Sequence, residues 1–172
     1  GWWTDAGLPE TLWDRPPYVL EAVISPASGP AFPVTVIVNH LRSLSGIDDA
    51  VDGPRVRAKR RAEAEYLADL IQVRQLANPG ERILAVGDFN AFQVSDGYVD
   101  LMGTIKGTPT PATEVVLASS DLVNPDLVGL TDGPSAQQYS FSFDGSAQQL
   151  DHIVSTVNGA PQLAGFHFAR VS

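Results

Sequence analysis

Four apolar residues, Ile83-Leu84-Ala85-Val86, run without interruption into Gly87-Asp88-Phe89-Asn90-Ala91. A short, continuous apolar run is the pattern of a buried central strand. At a strand end, positions i and i+2 project to the same side. Asp88 and Asn90 are therefore expected together on the sheet rim, with Phe89 turned into the core. A glycine before Asp88 lets backbone or ligand approach closely. A carboxylate and an amide side by side offer hard oxygens to Mg²⁺ or Ca²⁺, and a base with a polar orienting partner. Taken alone, the same residues also describe an ordinary Gly-Asp turn with an Asn cap.

The surrounding pattern gives this strand its neighbours. Tyr18-Val19-Leu20-Glu21-Ala22-Val23-Ile24 reads as a strand ended by Ser25-Pro26 and Gly29-Pro30. Val34-Thr35-Val36-Ile37-Val38 is rich in β-branched residues and leads into Asn39-His40, so the two runs predict an antiparallel hairpin. Residues 55–76 follow a helical period, with Ala62, Leu67, Leu70, Ile71 and Leu76 on one apolar side, and Asn78-Pro79-Gly80 stops them. A short helix is expected around residues 97–102, followed by a Gly/Pro/Thr-rich loop; residues 114–138 carry no clear pattern. Tyr139-Ser140-Phe141-Ser142-Phe143 alternates as a strand, Asp144-Gly145 is a hairpin-type turn, and residues 150–155 read as the returning strand. Strands with one long helix place the chain in the α/β or α+β class.

Length and composition admit one domain with a real core: 172 residues, 44% hydrophobic and 18% charged. No apolar run reaches membrane-spanning length. Gly1-Trp2-Trp3-Thr4-Asp5 lacks the pattern of a signal peptide. With no cysteine, disulfides and thiolate metal sites are excluded, while the compartment stays open. A net charge of −9 argues against a broadly basic, nucleic-acid-coating surface. It leaves room for an enzyme that gathers carboxylates around a divalent cation. Arg55, Arg57, Lys59, Arg60 and Arg61 supply five of the eleven Lys and Arg. Positive charge at a helix start opposes the macrodipole, so this run either meets phosphates or forms a solvated face paired with Glu63 and Glu65.

Other candidates fall at the ends of the same strands. His40 closes an apolar strand, where it can act as acid/base or donate to a phosphoryl oxygen; a hydrogen-bonded strand-end histidine is the plainer reading. Arg42 and Arg15 can each reach a phosphate, or be solvated. Asp151 precedes an apolar strand segment and can orient a histidine or a water. His152 alternates away from it and is expected to be structural, as is His167.

In this order, Arg15-Pro16, Asn39-His40-Leu41-Arg42-Ser43, Gly87-Asp88-Phe89-Asn90-Ala91, Tyr139-Ser140-Phe141 and Leu150-Asp151-His152-Ile153 resemble the endonuclease/exonuclease/phosphatase (DNase I-like) superfamily. Within it they are most similar to bacterial, often secreted, extracellular nucleases, over residues 13–155. The resemblance implies a two-sheet α/β sandwich flanked by helices, and hydrolysis of phosphodiesters or phosphomonoesters with Mg²⁺ or Mn²⁺. It implies that His40 contacts the scissile phosphate, and that Asp88 activates water or binds metal. Asn90 then orients phosphate or metal, Asp151 supports the phosphate and metal region, and Arg15 packs near the site.

Two elements of that superfamily have no counterpart in these residues: an early metal-binding Glu, and a terminal Ser-Asp-His-x-Pro whose Asp-His pair is the principal base. Residues 1–172 are thus expected to be part of one domain, holding about one half of the sandwich. Without its facing sheet such a half exposes a large apolar face. Further sequence or self-association is expected to cover it, and these residues alone are expected to bind metal weakly and hydrolyse little. The leading expectation is a nuclease acting by in-line attack of water. A phospholipid or inositol-phosphate hydrolase of the same fold, and a non-catalytic binding module, are the alternatives.

Overall fold

The first two runs read as strands build one side of the main sheet. In the computed structural model, which describes residues 2–3, 9–132 and 139–162, they are β3 (Tyr18–Ile24) and β4 (Phe32–His40). They pair antiparallel as expected, with Tyr18 opposite Val38 and Leu20 opposite Val36. Before them, β1 (Trp2–Trp3) and β2 (Pro9–Glu10) form a small two-stranded ribbon. A parallel neighbour needs a crossover, and α1 (Gly53–Ala77) supplies it, returning the chain to β5 (Ile83–Asp88) beside β4. The remaining elements are α2 (Leu101–Lys106), β6 (Val128–Gly129), β7 (Phe141–Phe143), β8 (Ser146–Gln148), β9 (Asp151–Ser155) and a 3₁₀ turn, Ala160–Gln162. The five-stranded sheet runs β3-β4-β5-β9-β6, with one parallel pair, β4-β5, and the rest antiparallel. The chain is therefore an α/β structure with a mixed sheet. No helix among the described residues is long and apolar enough to cross a membrane.

Alternation divides the sheet into two unlike faces. Ile37, Ile83, Ala85 and Val154 are buried in one core with Ala64, Leu67, Ala68 and Ile71 of α1 and Leu101, Met102 and Ile105 of α2. On the other face the register aligns Tyr18, Leu20 and Ile24 with Val38, Val36 and Phe32, then Leu84 and Val86, then Ile153. Tyr18, Leu20, Ile24 and Val38 are exposed there, by 69, 47, 56 and 45%. Val34, Val36, Leu84, Val86 and Ile153 are half-buried. One face of the sheet is thus packed on the helices, and the other is apolar and open to solvent.

Three sequence expectations change. Residues 139–143 and 150–155 do not form one hairpin. The Asp144-Gly145 turn is present, with φ of 47° and 77°, but β7 returns on β8 as a separate two-stranded ribbon. β9 instead enters the main sheet, where His152, Val154 and Ser155 are buried. The buried side of α1 also differs from the apolar stripe: Leu76 is exposed, whereas Lys59, Arg60, Glu63 and Gln75 are buried. Finally, the short helix begins later than residue 97. Asp100 caps it by accepting the Gly103 N–H at 2.8 Å, and Gly107 ends it in the left-handed region.

Candidate active site

Adjacent strands bring three of the predicted residues into one row. His40 ends β4 and is opposite Asp88 at the end of β5; Asp88 is in turn opposite Asp151 at the start of β9. All three lie on the uncovered face, at one end of the sheet. His40 Nε2 stands 3.4 Å from Asp88 Oδ2, and both side chains are partly solvent-accessible, at 42% and 34%. At that distance the two side chains face each other without a close hydrogen bond.

Asn90 joins Asp88 by a different route from the one strand alternation suggested. The strand stops at Asp88, and Asn90 turns at a φ of 48°. Its N–H donates to Asp88 Oδ1 at 2.8 Å, an Asx-type turn. Its side-chain Nδ2 donates to the Leu41 carbonyl at 2.9 Å, tying this turn to the exit of β4. Phe89, between them, is fully buried and meets the His152 ring edge-on at 5.8 Å. The Gly87 requirement also becomes specific, because at φ +124° a Cβ there would lie 2.2 Å from the Asn39 carbonyl oxygen. It is backbone, rather than ligand, that approaches.

Asp151 is held through its backbone. Ser140 Oγ accepts the N–H groups of Leu150 and Asp151 at 3.1 and 3.0 Å. The serine of Tyr139-Ser140-Phe141 therefore anchors this end of the row, a role that pattern alone did not reveal. His152 is buried: its Nε2 is 2.8 Å from the Ala91 carbonyl and its Nδ1 is 3.3 Å from Thr131 Oγ1 and Gln149 Nε2. Burial lowers its pKa, keeping it neutral. Nε2 then carries the proton to Ala91, a structural role. His167 lies outside the described residues.

The arginines are placed less directly. Arg42 turns its guanidinium to its own loop, donating to the Ser45 carbonyl at 3.3 Å. Arg15 is exposed. A hydrogen bond from Lys59, with the charges of Lys59, Arg42 and Arg15, holds Asp14 below the usual carboxylate range. These basic side chains thus share the neighbourhood of Asp14. The basic run of α1 is largely used inside the molecule: Arg57 covers the Tyr98 ring at 3.7 Å, Arg61 pairs with Glu65 at 2.8 Å, and Lys59 and Arg60 are buried.

Beneath the rim lies a carboxylate that in sequence reads only as a partner of the basic run. Glu63, buried, accepts the Arg42 N–H at 2.7 Å. Burial pushes its carboxyl up to about 7, against the opposing effects of that hydrogen bond and of Lys59. A pKa raised on folding stabilises the protein fully below the unfolded value of about 4.5, and that contribution is lost as pH rises to about 7. Glu63→Gln keeps an acceptor and removes the charge. Its stability relative to wild type should rise across this window by on the order of 3 kcal/mol, and stay constant above it. Denaturant titrations at pH 5 and pH 8 check this; parallel losses in both proteins would contradict it.

A cavity of about 690 Å³ opens beside the row, with Asp88 and Asn90 on one side and Phe92, Phe141, Phe143 and Leu150 on another. Phe141 and Phe143 stack at 6.5 Å. The donors at the rim are a carboxylate and an amide oxygen. Among the described residues, no group of three or more His, Cys, Asp or Glu side chains is placed to hold a metal ion. A carboxylate beside an amide oxygen is donor chemistry for a hard, water-rich cation rather than for a structural zinc.

No family model matches the sequence, and no curated protein matches it. Among solved structures the chain is similar to truncated Caenorhabditis elegans TDP2, at 16% identity and a TM-score of 0.47 over 81% of this chain and 45% of that one. It is also similar to TDP2 from C. elegans, at 16% identity and a TM-score of 0.43 over 73% of this chain and 32% of that one. The chain thus spans less than half the length of either.

Proposed function

We propose that this chain carries one side of the active site of a metal-dependent phosphodiester hydrolase of the DNase I-like superfamily, with nucleic acid as substrate. The row His40, Asp88 and Asp151, in register across three adjacent strands, carries this reading. Asn90, folded back onto Asp88, completes it.

Asp88 and Asn90 are the residues that would hold Mg²⁺ or Mn²⁺, with water and substrate oxygens filling the remaining positions. The ion would supply electrophilic polarisation of the phosphate. The chain's own groups account for the rest. His40, beside the Asp88 carboxylate at 3.4 Å, is oriented to donate a proton or hydrogen bond to a phosphate oxygen. Asp88 orients the His40 ring, and Asp151 adds a second carboxylate to orient the attacking water. The aromatic side of the neighbouring cavity accepts the uncharged part of the substrate. On this reading a facing sheet of the same protein covers the exposed apolar face. Membership of the extracellular-nuclease branch, and with it secretion, belongs to the same proposal.

The test is direct. The full-length protein, with the facing sheet in place, is incubated with Mn²⁺ and plasmid DNA, and in parallel with a phosphorylated lipid. Cleavage of DNA supports the proposal, and cleavage of the lipid alone replaces it with the lipid-hydrolase reading. Calorimetric titration with Mn²⁺ separates the third possibility. Identical heats for wild type and the double variant Asp88→Ala/Asn90→Ala would leave a non-catalytic binding module.

A further inference from the structure

Resting on the phosphodiesterase reading, we propose that Arg60, assisted by Glu63 on the same face of α1, is the positioning residue of this site. It sets how the exits of β4 and β5 lie against each other without itself touching substrate.

The two strands run parallel and end side by side, at His40 and Asp88. Beyond those residues the chain diverges, into the loop that leads to α1 and into the Asn90 turn. Arg60 spans the divergence. Its Nη1 donates to the Arg42 carbonyl at 2.6 Å and to the Asn90 carbonyl at 2.9 Å. Each of these lies two residues beyond a member of the His40–Asp88 pair. Its Nη2 donates to Asp96 Oδ2 at 3.2 Å. Asp96 Oδ1 in turn accepts the N–H groups of Tyr98 and Val99 at 2.8 and 2.7 Å. Glu63 grips the N–H of the same Arg42 whose carbonyl Arg60 holds. One backbone residue after His40 is thus clamped at both its N–H and its carbonyl by one helix.

Stability alone is a poor account of this arrangement. Arg60 is fully buried, and its Nε has no hydrogen-bond partner. Replacing buried ion pairs with apolar side chains of similar volume is often neutral or stabilising. The planar fork does what an apolar residue cannot: it holds two carbonyls on separate segments and a carboxylate in a fixed relation. A lysine, a single point charge on a flexible stem, cannot reproduce that geometry.

The test compares Arg60→Lys and Asp96→Asn with wild type, using thermal melts to establish folding. In the folded Arg60→Lys variant, kcat on a nucleic-acid substrate should fall about 30- to 100-fold, with KM changed less than about threefold. Asp96→Asn should show a smaller fall in the same direction. A readout independent of turnover accompanies this: the His40 ring signals in ¹H–¹³C spectra should move towards those of Asp88→Asn, reporting loss of the contact. A folded Arg60→Lys protein with kcat within threefold of wild type and His40 signals unmoved overturns the proposal. Should Arg60→Lys fail to fold, unmoved His40 signals in Asp96→Asn overturn it instead. These rates are read on the full-length protein; if its wild type shows no hydrolysis, the phosphodiesterase reading fails separately, and the ring signals alone decide the role of Arg60.

Discussion

Asp88→Ala is expected to lower metal-dependent phosphodiester hydrolysis by about 10²- to 10³-fold while leaving the fold in place. The carboxylate is one-third exposed, so its removal opens no core cavity. It nevertheless serves two partners. Oδ2 faces His40 Nε2 at 3.4 Å, and Oδ1 accepts the Asn90 N–H at 2.8 Å. Alanine removes both contacts, along with an oxygen donor for the cation. Asp88→Asn divides the effects, since an amide oxygen can still accept from Asn90 while the charge beside His40 is lost. Both variants should therefore be slow, with only alanine loosening the turn. Initial rates on bis(p-nitrophenyl) phosphate across a Mn²⁺ series would check this. An Asp88→Ala rate within threefold of wild type would remove Asp88 from the chemistry.

Gly87→Ala is expected to be the most damaging single change to the rim's structure, costing on the order of 3 kcal/mol. Two effects act together. At φ +124° an L side chain is strained whatever space surrounds it, and the new Cβ would lie 2.2 Å from the Asn39 carbonyl oxygen. That contact is backbone in the neighbouring parallel strand, so no side-chain rotation relieves it. Either β5 moves away from β4 or the pairing at His40 and Asp88 opens. Chemical denaturation measures the cost, and hydrogen exchange at Leu41, whose N–H donates to the Asp88 carbonyl at 3.0 Å, localises it. Equal stability and unchanged exchange at Leu41 would show that the strands separate without penalty.

How legible the chain was depended on whether each feature was encoded locally. β3 coincides with its predicted run, α1 lies within a residue or two of its predicted limits, and β5 follows the apolar run preceding Asp88. Each is written in consecutive residues through alternation, helical period and Pro/Gly punctuation. The polar end of β5 was readable for the same reason. Which strand β9 would join was not, because pairing depends on the surfaces available once the chain is compact. The Asp144-Gly145 turn was correctly placed, but the residues returning from it were Ser146–Gln148.

The site divides along the same line. Pattern and motif pointed to His40, Asp88, Asn90 and Asp151, since polar residues at either end of apolar runs stand out in a linear reading. Arg60 and Glu63 did not stand out. In sequence they belong to a charged run that reads equally as a solvated helix face or a phosphate-binding patch. Only the packing of α1 against the exits of β4 and β5 turns them inward, onto the carbonyls and N–H group that those exits leave unpaired. The sequence by itself determined the strands, the long helix and the polar residues at their ends, because hydrophobic period and turn chemistry act over a few neighbours. The tertiary structure alone decided that three strand ends meet in one row, and that a buried guanidinium bridges the exits of two of them. Those relations join residues tens of positions apart, where the balance between burying a charge and satisfying backbone groups exists only once the chain has folded.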